Sequence, residues 1–174
     1  MKKFELTTES ITNVAGKKIF RIKALVEFGN VKAGELGGYV EKEGNVSQDG
    51  NAWVSGNARV SGDAKVSGGV RVSGNAWVYG NAWVSGNVRV SGDARVSGDA
   101  DYASVQGFGT EFRCTTFYRS KNKKIMVNCG CFHGDLEEFR KQVKETRSGE
   151  IAKEYLMIAD LMEYHFASED SSNE

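Results

Sequence analysis

The chain of 174 residues carries 23 basic and 23 acidic side chains, so no net charge draws it to nucleic acid or to an anionic membrane. No stretch approaches the roughly 20 apolar residues of a membrane helix, and neither an apolar stretch nor a cleavage site follows the basic start Met1-Lys2-Lys3. Many of its 21 glycines recur at one spacing, unlike a linker, and three cysteines make no closed disulfide framework; the expected location is the cytoplasm.

From the N-terminus, Phe4-Glu5-Leu6-Thr7 alternates apolar and polar residues, and Ile19 to Val26 is a longer extended run. Ala15-Gly16-Lys17 supplies a turn between them, which predicts a β-hairpin. Gly34, Gly37 and Gly38 then lead into Tyr39-Val40 and Asn45-Val46, a degenerate first coil of the repeat that follows.

Residues 50–103 hold nine tandem hexapeptides: GNAWVS, GNARVS, GDAKVS, GGVRVS, GNAWVY, GNAWVS, GNVRVS, GDARVS and GDADYA. Each reads mostly Val-(Ser/Tyr)-Gly-(Asn/Asp)-(Ala/Val)-X, with an aliphatic residue followed four places later by a small one. This resembles the hexapeptide-repeat superfamily of left-handed parallel β-helices, in which three hexapeptides make a triangular turn of 18 residues. The resemblance implies that the valine and the small residue point inwards and that Gly and Asn/Asp take positive φ at the corners. Gly stands second after the aliphatic residue here, rather than first as in the commonest pattern. Ala52, Val70 and Val88 fall in one column, so the two larger small-position residues stack, which fits the 18-residue turn. Nine hexapeptides make three turns, each about 4.8 Å high at strand spacing.

Beyond Gly107, Phe112–Arg119 and Lys124–Cys131 predict a second hairpin across Ser120 to Lys123. Asp135 with Glu138 has the form of a capping box, opening a helix with Leu136, Phe139, Gln142 and Val143 on one face. Ile151, Tyr155, Ile158, Ala159, Met162 and Phe166 give a second helix its apolar stripe, and Ser168–Glu174 read as a frayed polar end. The fold class is therefore mainly β: a left-handed parallel β-helix of about three turns, an N-terminal β-hairpin, and a C-terminal β-hairpin plus two helices. The domains read as 1–37, 38–106 and 107–174.

Three features could carry chemistry. Many hexapeptide proteins are acyltransferases with a histidine on or beside the coil as general base. Residues 34–110 contain no histidine, and the two in the chain are His133 and His165, so the expectation is no enzyme and no catalytic residue. The second feature is a cysteine cluster. A hairpin turning at Lys121-Asn122 sets Cys114 opposite Cys129, with Cys131 and His133 on the same face, a set that would suit zinc. Cys-X-Cys is not the usual ligand spacing, and Phe112, Tyr118, Ile125 and Val127 share that face, so it reads as core, with no metal and no cofactor expected.

The third feature is the outward column before each valine. Sorted by face it stacks Trp53-Arg71-Arg89, Arg59-Trp77-Arg95 and Lys65-Trp83-Asp101. Three outward tryptophans predict an interface, and β-helix relatives are typically trimers. Trp53, Arg59, Arg71, Trp77, Trp83, Arg89 and Arg95 are the candidate ligand-binding residues, with guanidiniums for a phosphate and an indole to stack on a base. Three turns are too short for a long nucleic acid.

The whole layout resembles small proteins encoded by phages and prophages. Its marks are Arg21-Ile22-Lys23-Ala24-Leu25, Gly34 to Glu41, the GNAxVSG run, Val127 to Phe132 and Ala152-Lys153-Glu154-Tyr155-Leu156. That resemblance implies a bacterial host cell. The expected function is a non-catalytic oligomeric binding protein, a sponge for a nucleotide-derived immune signal of the host held at subunit interfaces. Two alternatives are a hexapeptide-type acyltransferase and a structural or host-protein-binding trimer.

Overall fold

The computed structural model describes residues 1–171, in two compact units, Met1–Asp99 and Ala100–Glu174. The expectation for the last residues, 172–174, lies outside the described part; up to Ser171 the chain is helical.

The first unit opens with the predicted hairpin, β1 (Phe4–Thr12) and β2 (Lys18–Ala24), turning through Gly16 at φ 75°. β3 (Leu36–Val40) adds to β2 and begins a parallel β-solenoid of about three turns. Its short rungs are β4 (Trp53–Val54), β5 (Arg59–Val60), β6 (Lys65–Val66), β7 (Arg71–Val72), β8 (Trp77–Val78), β9 (Trp83–Val84), β10 (Arg89–Val90) and β11 (Arg95–Val96). They stack in parallel as β3-β5-β8-β11, β4-β7-β10 and β6-β9. The valines of β4 to β11 and the alanine or valine two places before each are buried, as the alternation requires.

Every solenoid corner from Gly50 to Gly92 has its glycine at positive φ, between 63° and 83°. The Asn or Asp that follows was expected to share that role and does not. The only non-glycine residues with positive φ among those described are Phe112 and Lys123. At several of these corners a Cβ would meet the backbone of the next coil, as at Gly68, where the Gly86 oxygen would lie 3.0 Å away. At those corners the requirement for glycine is steric as well as conformational.

The first turn is longer than the rest. Tyr39 faces Arg59 and Val46 faces Val66, twenty positions on, whereas Trp53 faces Arg71, eighteen on. Gln48 and Asp49 make up the difference at a corner. Gln48 uses its amide to hold β1, accepting from Lys3 N at 2.8 Å and donating to Phe4 O at 3.3 Å.

Each rung donates its N–H groups to the carbonyls of the following coil, so the start of the stack leaves carbonyls without a donor. Two buried side chains satisfy them. Lys3 Nζ donates to Ala52 O (2.9 Å) and Gly50 O (3.3 Å), and Asn45 Nδ2 donates to Ala64 O (2.8 Å) and Gly62 O (3.1 Å). At the far end the need reverses, and the Asp99 carboxylate accepts from Trp83 N at 2.8 Å. The ninth hexapeptide leaves the ladder: Asp99–Asp101 form a 3-10 turn, and Asp101, expected above Trp83, instead pairs with Arg119 at 3.6 Å.

The second unit is a four-stranded antiparallel sheet covered by two helices. Its strands are β12 (Tyr102–Val105), β13 (Thr115–Arg119), β14 (Ile125–Cys129) and β15 (Phe132–Asp135), in sequence order. Asp135 caps α1 (Leu136–Thr146) with the predicted box, accepting from Glu138 N at 3.0 Å while Glu138 accepts from Asp135 N at 2.8 Å. Leu136, Phe139 and Val143 meet Ile158, Ala159, Met162 and Phe166 of α2 (Gly149–Ser171) over Phe117 and Val127, while Gln142 stays exposed. Arg140 joins the helices, bonding to Glu137 (2.6 Å), Asp160 (2.8 Å) and Glu163 (2.7 Å).

The β13–β14 register differs from expectation by one residue: Thr115, not Cys114, faces Cys129. Lys123 at φ 61° allows the turn to close between Ser120 and Lys124, which fixes the slip. Cys129 faces the helices with Ile125 and Val127, as expected, whereas Tyr118 and His133 lie in a separate cluster with Asn128.

Candidate anion-binding face of the solenoid

The structure separates the seven sequence candidates. Trp53, expected to face outwards, is only 2% exposed. Phe4 and Phe28 pack edge-on against it at 6.3 and 5.4 Å, because the N-terminal hairpin and the loop after it cover that face. Arg71 lies half-buried beside Gly29 of the same loop, and Arg89, further along the column, is exposed. Trp83 is 59% exposed, its indole N–H reaching Ser67 Oγ at 3.4 Å.

Arg59, Trp77 and Arg95 remain together, on a column longer than the sequence suggested. Pairing runs Arg21–Tyr39–Arg59–Trp77–Arg95 across β2, β3, β5, β8 and β11, alternating guanidinium and ring. Arg21 lies 5.4 Å from the Tyr39 ring centre, and Arg59 and Arg95 lie 4.9 and 4.5 Å from that of Trp77. β5 and β11 flank β8 on opposite sides, so the two guanidiniums cover opposite faces of the indole. Such contacts gain about 0.5–2 kcal/mol each, more as water is excluded.

The charges along this column are balanced at one end only. Glu9 accepts from Arg21 Nη1 (3.1 Å) and from the Tyr39 hydroxyl (2.9 Å), and these two bonds hold its carboxyl below the usual range. Neither Arg59 nor Arg95 has a carboxylate partner among the described residues. Arg59 Nε is buried with no hydrogen-bond acceptor. Arg95 is anchored through Nη1 to the carbonyls of Ala94 (2.7 Å), Asn75 (3.1 Å) and Asp93 (3.2 Å), which leaves its other N–H groups available.

These two arginines line an open pocket of about 270 Å³ with Trp77, Tyr79, Ser61 and the hairpin turn Asn13-Val14-Ala15. Asn13 Oδ1 holds the turn by accepting from Lys17 N (2.9 Å) and Ala15 N (3.0 Å). Tyr79 was missed in the sequence reading, although a signal existed: the corner position after each rung is serine from Ser55 to Ser97 except here. The approach of the Asn13 turn carried no such signal, since a hairpin's sequence does not say over which coil it lies.

The second unit offers less. Asn128 Oδ1 lies 2.7 Å from His133 Nδ1, which fixes the hydrogen on that nitrogen, and Asn128 Nδ2 donates to the buried Tyr118 hydroxyl at 3.2 Å. Cys129 receives the Thr115 hydroxyl at 3.2 Å and lines a pocket of about 90 Å³ with Cys131, Arg147 and Tyr155. Burial, and after it the Cys129 thiol, push the Tyr155 phenol up. Cys114, Cys129, Cys131 and His133 do not converge, and no set of three or more metal-ligating side chains occurs among the described residues.

A family model described as YdcK Beta solenoid repeat matches residues 52–68 and 70–86. Both stretches lie within the ladder, and the chain is a β-solenoid repeat protein. No curated protein matches it. No helix among the described residues is long and apolar enough to cross a membrane.

Proposed function

We propose that this protein is a non-catalytic binding protein that captures a small phosphate-bearing ligand on the Arg59–Trp77–Arg95 face. The observation that carries the reading is the contrast within one column: Arg21 has its carboxylate, whereas Arg59 and Arg95 have none and line a pocket. Half-buried guanidiniums without a counter-ion favour a ligand that brings the negative charge, and the fork of an arginine suits phosphate oxygens. The run from 34 to 110 offers such a ligand no histidine to act as general base on the coil.

The resemblance of the layout to small phage proteins supports sequestration of a nucleotide-derived host signal as the biological role, in the cytoplasm of a bacterial cell. Calorimetry of the purified protein against AMP, ADP-ribose and cyclic oligonucleotides tests this. Binding by at least one of them, weakened about tenfold or more by Arg59→Ala or Arg95→Ala, is the expected result, since a charged hydrogen bond contributes roughly 1.5–3 kcal/mol. No binding across the panel sinks the reading.

We further propose that the protein is a homo-oligomer, a trimer on the analogy of the β-helix relatives, assembled through the face that carries Trp83. An indole 59% exposed on a flat β-sheet face supports this.

A further inference from the structure

The pocket holds two aromatic rings, and only one of them has a face to offer. Trp77 is covered on both sides, by Arg59 at 4.9 Å and Arg95 at 4.5 Å, so no planar ligand can stack on it without displacing an arginine from its cation–π contact. Tyr79 is 38% exposed and follows Trp77 by two residues, at the corner of the same coil. Val14 of the hairpin turn is 83% exposed and lines the same pocket. Polar groups also remain unused among the described residues: Asn13 spends its side-chain oxygen on its own turn and keeps its Nδ2, and the Ser61 hydroxyl has no partner.

From this we infer that Tyr79 is the stacking residue of the pocket and that Trp77 only positions the two guanidiniums. The ligand it fits is a single aromatic ring joined to a phosphate, of the size and chemistry of a nucleoside monophosphate. The inference rests on the anion-capturing role proposed above for this site. Size supports it, since about 270 Å³ lies at the small end of ligand sites, which run to roughly 1,000 Å³. The sequence supports it too: within the lining of this pocket a bulky phenol stands where the corners from Ser55 to Ser97 otherwise carry serine.

The test compares AMP with ribose 5-phosphate, which has the phosphate but no ring, on the wild type and on Tyr79→Ser. Serine is the residue that the other solenoid repeats carry at that place, so the variant keeps the coil. Stacking on an aromatic side chain strengthens binding by about 5- to 150-fold per base. The wild type is therefore expected to prefer AMP by that factor, and Tyr79→Ser to lose the preference. If AMP binds no better than ribose 5-phosphate, or the preference survives in Tyr79→Ser, the inference is overturned and anion capture by Arg59 and Arg95 stands. If neither compound binds the wild type, the inference is overturned as well. The wider ligand panel then decides separately whether anion capture falls with it.

Discussion

Lys3 shows how a single side chain completes a repeat architecture. Its ammonium is buried against the carbonyls of Gly50 and Ala52 and over the Phe28 ring, and burial lowers its pKa from 10.5 to about 8, opposed by the nearby Asp49 carboxylate. Below about pH 8 the lysine is charged in both the folded and the unfolded chain, and the folded state bears the full burial penalty. Between about 8 and 10.5 the unfolded chain binds the proton more tightly, so stability rises with pH across that window. Urea midpoints of the wild type and Lys3→Met check this. Their difference is expected to move in favour of the wild type from pH 8 to 10.5 and to stay flat between pH 6 and 7.5. A difference that is constant through the upper window rules out the linkage.

Among the rungs and corners, glycine has two separable functions. Gly44 has no positive φ and open space at its Cβ position, Gly86 has φ 83° with open space, and Gly80 has φ 66° with the Ser97 carbonyl in the way. The three alanine variants form a graded series. Gly44→Ala stays within about 0.5 kcal/mol of the wild type, Gly86→Ala loses about 1–2 kcal/mol to the left-handed backbone alone, and Gly80→Ala loses more. Equal losses at Gly80 and Gly86 in urea unfolding would show that coil-to-coil contact contributes nothing. The rungs and α1 were legible in the sequence because period-two burial and the capping box are local, whereas β12 and β15, which widen the second hairpin to four strands, were not. The hairpin register was not legible. Lys123 accepts positive φ, nothing in its identity announces that, and one residue of slip moved Tyr118 off the face that Cys129 occupies.

At the scale of the whole molecule, the solenoid's three faces have different fates. One is covered by the chain's own hairpin and loop over Trp53, one carries the pocket at Trp77, and one leaves Trp83 in the open. The sequence showed the three indoles as equivalents, because the repeat dictates that they point outwards and says nothing about what arrives from elsewhere in the chain. Equivalence in the repeat hid the difference in use. If the Trp83 face is where copies meet, Trp83→Arg, which keeps the mixture of residue types found in this column, should convert the oligomer to monomer. Light scattering across a dilution series reads this directly; an unchanged mass for the variant removes that face from the interface.

The spacing of the column also limits how such a chain can change in length. Arg59, Trp77 and Arg95 meet because each lies eighteen positions after the last. Six residues added after Ser73 would carry everything beyond them round by a third of a turn, setting Trp77 on a neighbouring face and breaking its contact with Arg59. Eighteen added there would lift the upper coils by one storey and return every side chain to its own wall. The extra pair Gln48-Asp49 is tolerated because it bulges at a corner, below the first rung of its column. Growth and shrinkage are therefore quantised: viable length variants of this protein come in whole turns, or as small loops at the corners.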